Sequence, residues 1–387
     1  MLKRPDEIQA VKTLLNRYPI VGLIGARQVG KTTLARMIGR YERQTSTHFD
    51  LENPEDQARL SDPMLGLRDL HGLIILDEVQ LKPEVFPVLR VLADRVRSGA
   101  KFLLLGSASP ELIQRSAESL AGRIAYHELS GFSIREVGVR NIEKLWLRGG
   151  FPPSYLAPTN AASLDWRSQF IRTFLERDLP QLGVFIRATT LRRFWSMLAH
   201  YHGQIWNSSE FARSFGVADT TIRNYLDVLS STLVVRQLLP WSENISKRQV
   251  KSPKVYITDS GLLHSLLNLQ SIRDLQGHPK LGASWEGFLI GQITRSLGAR
   301  PEECFFWATH SGAELDLLVV RGRKRIGFEI KRTTAPALTR SMQVSLADLK
   351  LSGLFVIHAG KDLFPLAERV TALPAEKIHT ELSLRSL

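Results

Sequence analysis

Over the first third of the chain, unbroken apolar runs alternate with helix-like stretches. The runs "IVGLI" (20–24), "LIIL" (73–76) and "FLLL" (102–105) carry no polar position every second residue, as expected of parallel strands buried on both faces. Helical patterns follow at 33–38 and 110–120, and a strand-like run covers 124–129. Further on, Trp166, Phe170, Ile171, Phe174 and Leu175 fall on one stripe of "DWRSQFIRTFLERDLPQLG", which predicts an amphipathic helix. From Leu191 the elements shorten. Ser208 or Ser209 is placed to cap a helix ending at Phe215, Gly216-Val217 to turn the chain, and 219–229 to form a second helix: a helix-turn-helix pattern. The runs "LVVRQLLPW" and "PKVYITD" then suit a strand pair around the basic loop "SKRQVKSPK", a wing. Thr220, Thr221, Arg223 and Asn224 would lie on the exposed face of the second helix. Such a module contacts DNA or docks a protein.

The stretch after the first strand carries the sharpest chemistry. Gly25-Ala26-Arg27-Gln28-Val29-Gly30-Lys31-Thr32, followed by Thr33, satisfies GxxxxGK[ST] between an apolar strand and a helix, which is the context of a P-loop. Its backbone N–H groups would curl around phosphate at a helix N-terminus. Lys31 would serve the β- and γ-phosphates, and the Thr32 hydroxyl would ligate Mg²⁺. Asp77 and Glu78 end the second apolar run; Asp77 would hold Mg²⁺ through water and Glu78 would polarise the attacking water. Ser107 or Ser109, at the tip of the third run, could sense the γ-phosphate. The implied cofactors are ATP and Mg²⁺. An Asn-Lys-x-Asp guanine motif is absent from the sequence.

Strict alternation returns at "ELDLLVVRGRKRIGFEIKR" (314–332), with charge on one of the two faces. A two-residue turn at Gly322-Arg323 would set Asp316 opposite Glu329 and Glu314 opposite Lys331. Like charges directly opposite are destabilising, so something must offset them. One reading is a divalent ion, Mg²⁺ or Mn²⁺, on the carboxylates, with Lys331 acting on a metal-bound water. The other is a solvated hairpin with cross-strand ion pairs. Glu286, in the amphipathic stretch opened by Trp285-Glu286-Gly287-Phe288, could approach the same cluster.

Composition narrows the partners. A chain of 387 residues suits two to four domains. A net charge of +13 favours a polyanion such as nucleic acid. The single cysteine, Cys304, excludes internal disulfides and thiolate zinc fingers. No apolar run reaches a membrane span, and the start "MLKRPDEIQ" has no signal-like core, so a cytoplasmic protein is expected.

The order of P-loop, Asp-Glu strand, polar-tipped strand and terminal arginine resembles an AAA+ ATPase. That resemblance implies an arginine finger at Arg123 reaching a neighbouring subunit's nucleotide; a surface arginine closing a helix is the plainer alternative. Gly149-Gly150-Phe151-Pro152-Pro153 resembles the lid segment of certain bacterial and archaeal AAA-type ATPases, which implies that Pro152 packs near adenine; a plain interdomain turn would read the same. Arg172 or Arg177 could contact phosphate from that lid. Helix-Glu, strand-Asp and Glu-x-Lys resemble the PD-(D/E)xK nuclease superfamily, with Glu286, Asp316, Glu329 and Lys331 in those places. With "DEVQ", "FLERD" and "KVYITDSGL", these segments resemble a prokaryotic family of AAA-type ATPases with a nuclease-like C-terminal domain of unknown function. The expected fold is α/β: an AAA+ parallel-sheet core (1–135), a helical lid (136–188), a winged helix (189–258) and a PD-(D/E)xK-like domain (259–387). The expected activity is ATP hydrolysis acting on duplex or branched DNA, to which the nuclease resemblance adds Mg²⁺-dependent DNA cleavage by the C-terminal domain, with self-association, a hexameric ring by resemblance. The alternatives are a branch-migration ring without nuclease activity, or a regulatory or defence switch ATPase with a protein partner.

Overall fold

The computed structural model describes residues 2–41, 45–95, 99–107, 118–242, 251–310 and 312–384. They form two compact units, Met1–Gly131 with Ser231–Leu233, and Phe132–Ser230 with Val234–Leu387. Among the described residues no helix is long and apolar enough to cross a membrane.

In the first unit, helix α1 (Pro5–Arg17) leads into strand β1 (Ile20–Gly25), and helix α2 (Lys31–Tyr41) follows the P-loop. Strands β2 (Ser46–Asp50), β3 (Gly72–Asp77), β4 (Ala100–Ser107) and β5 (Ile124–Glu128) complete a sheet of order β2-β3-β4-β1-β5. Every pairing in it is parallel, so all five strands deliver their carboxyl ends to one edge. Such a sheet must be covered on both faces, and the apolar runs do this: Ile20, Ile74, Leu76, Phe102 and Leu104 pack with Phe86 and Leu89 of helix α3 (Val85–Ala93). Each such side chain, fully buried, contributes about 1.5–3 kcal/mol. Asp50 pairs with Asp77 and Gly25 with Ser107 at the carboxyl edge, where ligands bind in open parallel sheets. Ser109 and most of the helix expected over 110–120 lie outside the described residues.

In the second unit, helix α4 (Ile142–Arg148) ends at Gly149. Helix α5 (Asn160–Thr173) bears the aromatic stripe, with Trp166 stacked on Phe170 and Phe170 on Phe174. The single helix expected there is interrupted: "FLERD", Phe174–Asp178, takes a π-helical turn before the chain resumes as α-helix at Leu179–Gln181. Helix α6 (Ala188–Tyr201) precedes the two helices of the helix-turn-helix pattern, α7 (Ser208–Phe215) and α8 (Asp219–Ser231). Gly216 ends α7 in the left-handed region, as the turn needs. The cap differs from the expectation. Asn207 holds that position, because the Ser208 and Ser209 hydroxyls instead donate to Asp219 Oδ2 at 3.1 and 2.7 Å, tying the starts of both helices together.

Strands β6 (Gln204–Ile205), β7 (Val235–Pro240) and β8 (Lys254–Ile257) pair antiparallel, β8 lying between the other two. Lys247 and Arg248 of the basic loop lie outside the described residues. Helix α9 (Ser260–Leu266) packs on α4 and α5, and helix α10 (Leu281–Ser296) leads to the C-terminal strands. These are β9 (Cys304–Ala308), β10 (Glu314–Arg321), β11 (Lys324–Lys331), β12 (Gly353–His358), β13 (Phe364–Ala367) and β14 (Val370–Pro374), with helix α11 (Arg340–Asp348) joining β11 to β12. They do not form a sheet of their own. Strand β7 pairs in parallel with β9 through Leu239 and Pro240, making one nine-stranded sheet of order β13-β14-β12-β11-β10-β9-β7-β8-β6. In the β10–β11 hairpin, Leu317 faces Phe328 and Arg321 faces Lys324, the register that a Gly322-Arg323 turn dictates.

Candidate functional site

The P-loop runs off the end of β1 with two residues in positive φ, Gln28 at 62° and Gly30 at 101°. Only glycine takes the second conformation without steric cost, which explains that position in the motif. The Lys31 side chain is buried, and its ammonium donates to Gly25 O at 3.0 Å and Ala26 O at 3.1 Å. Burial lowers its pKa to about 8, against the opposing pull of Glu78 and Asp77. Two neutral carbonyls do not match a buried cation in full; a triphosphate would.

The carboxyl ends of β1 and β3 bring the other expected residues here. Thr32 Oγ1 donates to Asp77 Oδ2 at 2.6 Å, pairing the two oxygens expected around Mg²⁺. His48, which the sequence reading missed, places Nε2 at 3.8 Å from the same oxygen. Burial pushes the Asp77 carboxyl pKa up, but His48 and Thr32 more than offset it, so the group lies below the usual carboxylate range. Glu78 follows in left-handed backbone at φ 52°, and the Gln80 side-chain amide donates to its Oε2. That amide orients the carboxylate expected to polarise water; its source is the final letter of "DEVQ". The donor set of hard oxygens beside a buried cation fits Mg-ATP: Lys31 and the loop amides for phosphate, Thr32 and Asp77 for the ion. Bound nucleotide would supply the phosphoanhydride that is cleaved.

Other expected residues stand further from this chemistry. Arg27 pairs with Glu52 at 3.1 Å. Arg123 forks onto Asp94 of its own chain at 2.6 and 2.8 Å and donates to Ala121 O. Ser107 ends β4 level with Gly25, and Thr33 is exposed on α2. Pro152 begins the short helix Pro152–Tyr155 of the second unit. Arg172 pairs with Glu176, and Arg177 with Asp178.

A second cluster lies in the nine-stranded sheet. Asp316 and Glu329 are buried, and Glu286 comes to them from α10. Burial first, and then Asp316, push the pKa values of Glu286 and Glu329 up to about 7; burial raises that of Asp316 too. Lys331 pairs with Glu329 at 2.7 Å. Two members were missed. Tyr256 donates to Glu286 Oε1 at 2.5 Å, and the Lys254 ammonium lies among Glu286, Glu314 and Asp316. Both come from "KVYI", where a lysine and a tyrosine share one face of a buried strand; that alternation was the available signal. Among the described residues no three His, Cys, Asp or Glu side chains are arranged to hold a metal ion.

Residues 17–138 match the family model of an AAA domain, and 139–273 and 281–378 match two domains of unknown function, DUF8612 and DUF4143. Along its whole length the chain is 51% identical to the uncharacterized protein Rv2008c of Mycobacterium tuberculosis and, equally, to the uncharacterized protein Mb2031c of Mycobacterium bovis, spanning 87% of each. It belongs to one family with these two mycobacterial proteins, and its N-terminal third carries an AAA domain. A solved structure of like fold is the Walker-type ATPase PABY2304 of Pyrococcus abyssi, 17% identical, with a TM-score of 0.50 over 69% of this chain and 96% of that one. Within that AAA domain, Lys31, Thr32, Asp77 and Glu78 lie together at one edge of the parallel sheet.

Proposed function

We propose that this AAA+ protein hydrolyses ATP at the P-loop edge and uses the cycle to act on DNA, which it holds through α7, α8 and the β7–β8 pair as a winged helix. The supporting observation for DNA is an open cleft of about 630 Å³ lined by Tyr201, Trp206, Asn207, Arg223 and Lys251. It joins the second helix to the base of the basic loop, with aromatic surface for stacking and two cations for phosphate. The net charge of +13 supports the same partner.

Hydrolysis measured with duplex, forked and four-way DNA tests this reading, and stimulation by any of them is expected. Binding followed by fluorescence anisotropy should weaken in both Arg223→Ala and Lys251→Ala, each lowering the salt slope by about 1. DNA that neither binds at low salt nor stimulates hydrolysis would instead favour a switch ATPase with a protein partner.

Self-association, with a hexameric ring as the form the family resemblance implies, is part of the proposal. Arg123 would exchange Asp94 for a neighbour's nucleotide on assembly. Mixing Arg123→Ala with Glu78→Gln should then restore some hydrolysis, because one of the two kinds of hybrid interface joins an intact site to an intact arginine. A fully active monomer at high dilution would refute it. The four-part division at 135, 188 and 258 belongs to the same proposal, as a division by role within the chain. For the nuclease-like segment, a divalent ion on Glu286, Asp316 and Glu329 does not fit the residues present, and no cleavage step is assigned.

A further inference from the structure

The C-terminal carboxylates pose a charge problem that the protein answers from an unexpected place. Glu314 and Asp316 come from β10, Glu286 from α10, and Glu329 from β11. Into their midst runs Lys254, the first residue of β8, buried to 4% exposure. Its Nζ lies 3.3 Å from Glu286 Oε1 and 4.0 Å from Asp316 Oδ1, and is paired with Glu314 Oε1.

The neighbouring oxygens are largely committed. Glu286 Oε1 also accepts from the Tyr256 hydroxyl, Asp316 Oδ2 accepts the Ile330 N–H at 2.8 Å, and Glu329 Oε1 pairs with Lys331. Glu329 Oε2 is buried without a hydrogen-bond partner. Among the described residues no three carboxylates are arranged as a metal site, and a hard dication demands about six oxygens, at about 2.1 Å for Mg²⁺. An ammonium has three donors and asks for no such shell.

We infer that Lys254 is the resident cation of the Glu286–Glu314–Asp316 cluster, standing where a nuclease-like domain would hold a divalent metal, so that this cluster works without one. Lys254 thereby fastens the strand that follows the DNA-facing cleft to α10 and β10. Lys251, Ser252 and Pro253, the three residues before it, line that cleft.

The test is Mn²⁺ binding by electron paramagnetic resonance on the nucleotide-free chain, with Asp77→Asn in every sample to silence the nucleotide site. With Lys254 intact, no bound Mn²⁺ that depends on Asp316 is expected. Lys254→Met should create such a site, binding Mn²⁺ about tenfold tighter or more, because Glu286, Asp316 and the half-exposed Glu314 lose the ammonium that pairs with all three. Adding Asp316→Asn should abolish the new site. An Asp316-dependent Mn²⁺ signal with Lys254 in place overturns the inference, and so does a folded Lys254→Met chain that gains no site. Should Lys254→Met fail to fold by circular dichroism, two measurements decide: the Lys254-intact titration and Lys254→Arg, which keeps the charge and should remain folded and free of Asp316-dependent Mn²⁺.

Discussion

Glu78→Gln should leave ATP binding intact and slow hydrolysis by about a hundredfold or more, the range lost when a positioned general base is removed. Its backbone sits in the left-handed region and its carboxylate is held by Gln80, so the change removes a base and little else. Lys31→Ala should fail at the earlier step. Its buried ammonium makes charge-assisted bonds worth about 1.5–3 kcal/mol each, which alone costs roughly ten- to hundredfold in affinity. Calorimetric ATP binding and steady-state phosphate release separate the two outcomes. Unchanged turnover in either variant would remove the P-loop edge as the site of hydrolysis.

A large effect on stability is expected at Gly149→Ala. Gly149 has φ +77°, and a Cβ there would lie 2.1 Å from Asp259 Oδ1, whose partner oxygen Oδ2 accepts the Gly150 N–H at 2.7 Å. Asp259 also caps α9 through Leu262 N, so it cannot retreat without losing both bonds. Steric overlap added to a strained φ should cost about 3 kcal/mol or more. Gly138→Ala is the control: φ is +82° with ψ 148°, nothing lies within 4 Å of its Cβ, and only backbone strain of about 1–3 kcal/mol is expected. Denaturant titrations of the two variants compare them directly. Equal losses would mean that the Asp259 contact carries no weight.

The nucleotide edge was legible because its residues are local. One nine-residue window from Gly25 holds the loop, and Asp77-Glu78 sits at the end of an apolar run whose burial in a parallel strand follows from its lack of alternation. The Gly322-Arg323 hairpin was legible for the same reason, since a two-residue turn dictates register by itself. What escaped was long-range. His48 reaches Asp77 through neighbouring strands, Lys254 joins Asp316 from 62 residues away, and Asp259 locks onto Gly150 from 109 away. Periodicity says which residues share a face, not which distant face they meet. The charged hairpin called for an offset, read as a divalent ion or cross-strand ion pairs; the lysine of another strand that lies among its carboxylates was not foreseen. "FLERD" looked like ordinary amphipathic helix because Phe174 and Leu175 continue the stripe of Phe170 and Ile171, and nothing in the local pattern announces the extra residue that a π turn takes up.

Strand β7 has a consequence for how this protein could be divided. It gives one edge to β8 and the other to β9, so neither strand group is complete without it. A chain cut after Thr258 would leave the β7 main chain unpaired around Leu239 and Pro240, next to an exposed Leu239. Bare strand edges flanked by apolar side chains recruit other chains. Such a fragment should therefore be sticky rather than independently soluble. Recombination that exchanged the C-terminal strands for another domain would meet the same penalty, so the helix-turn-helix segment and the C-terminal sheet are expected to be inherited together.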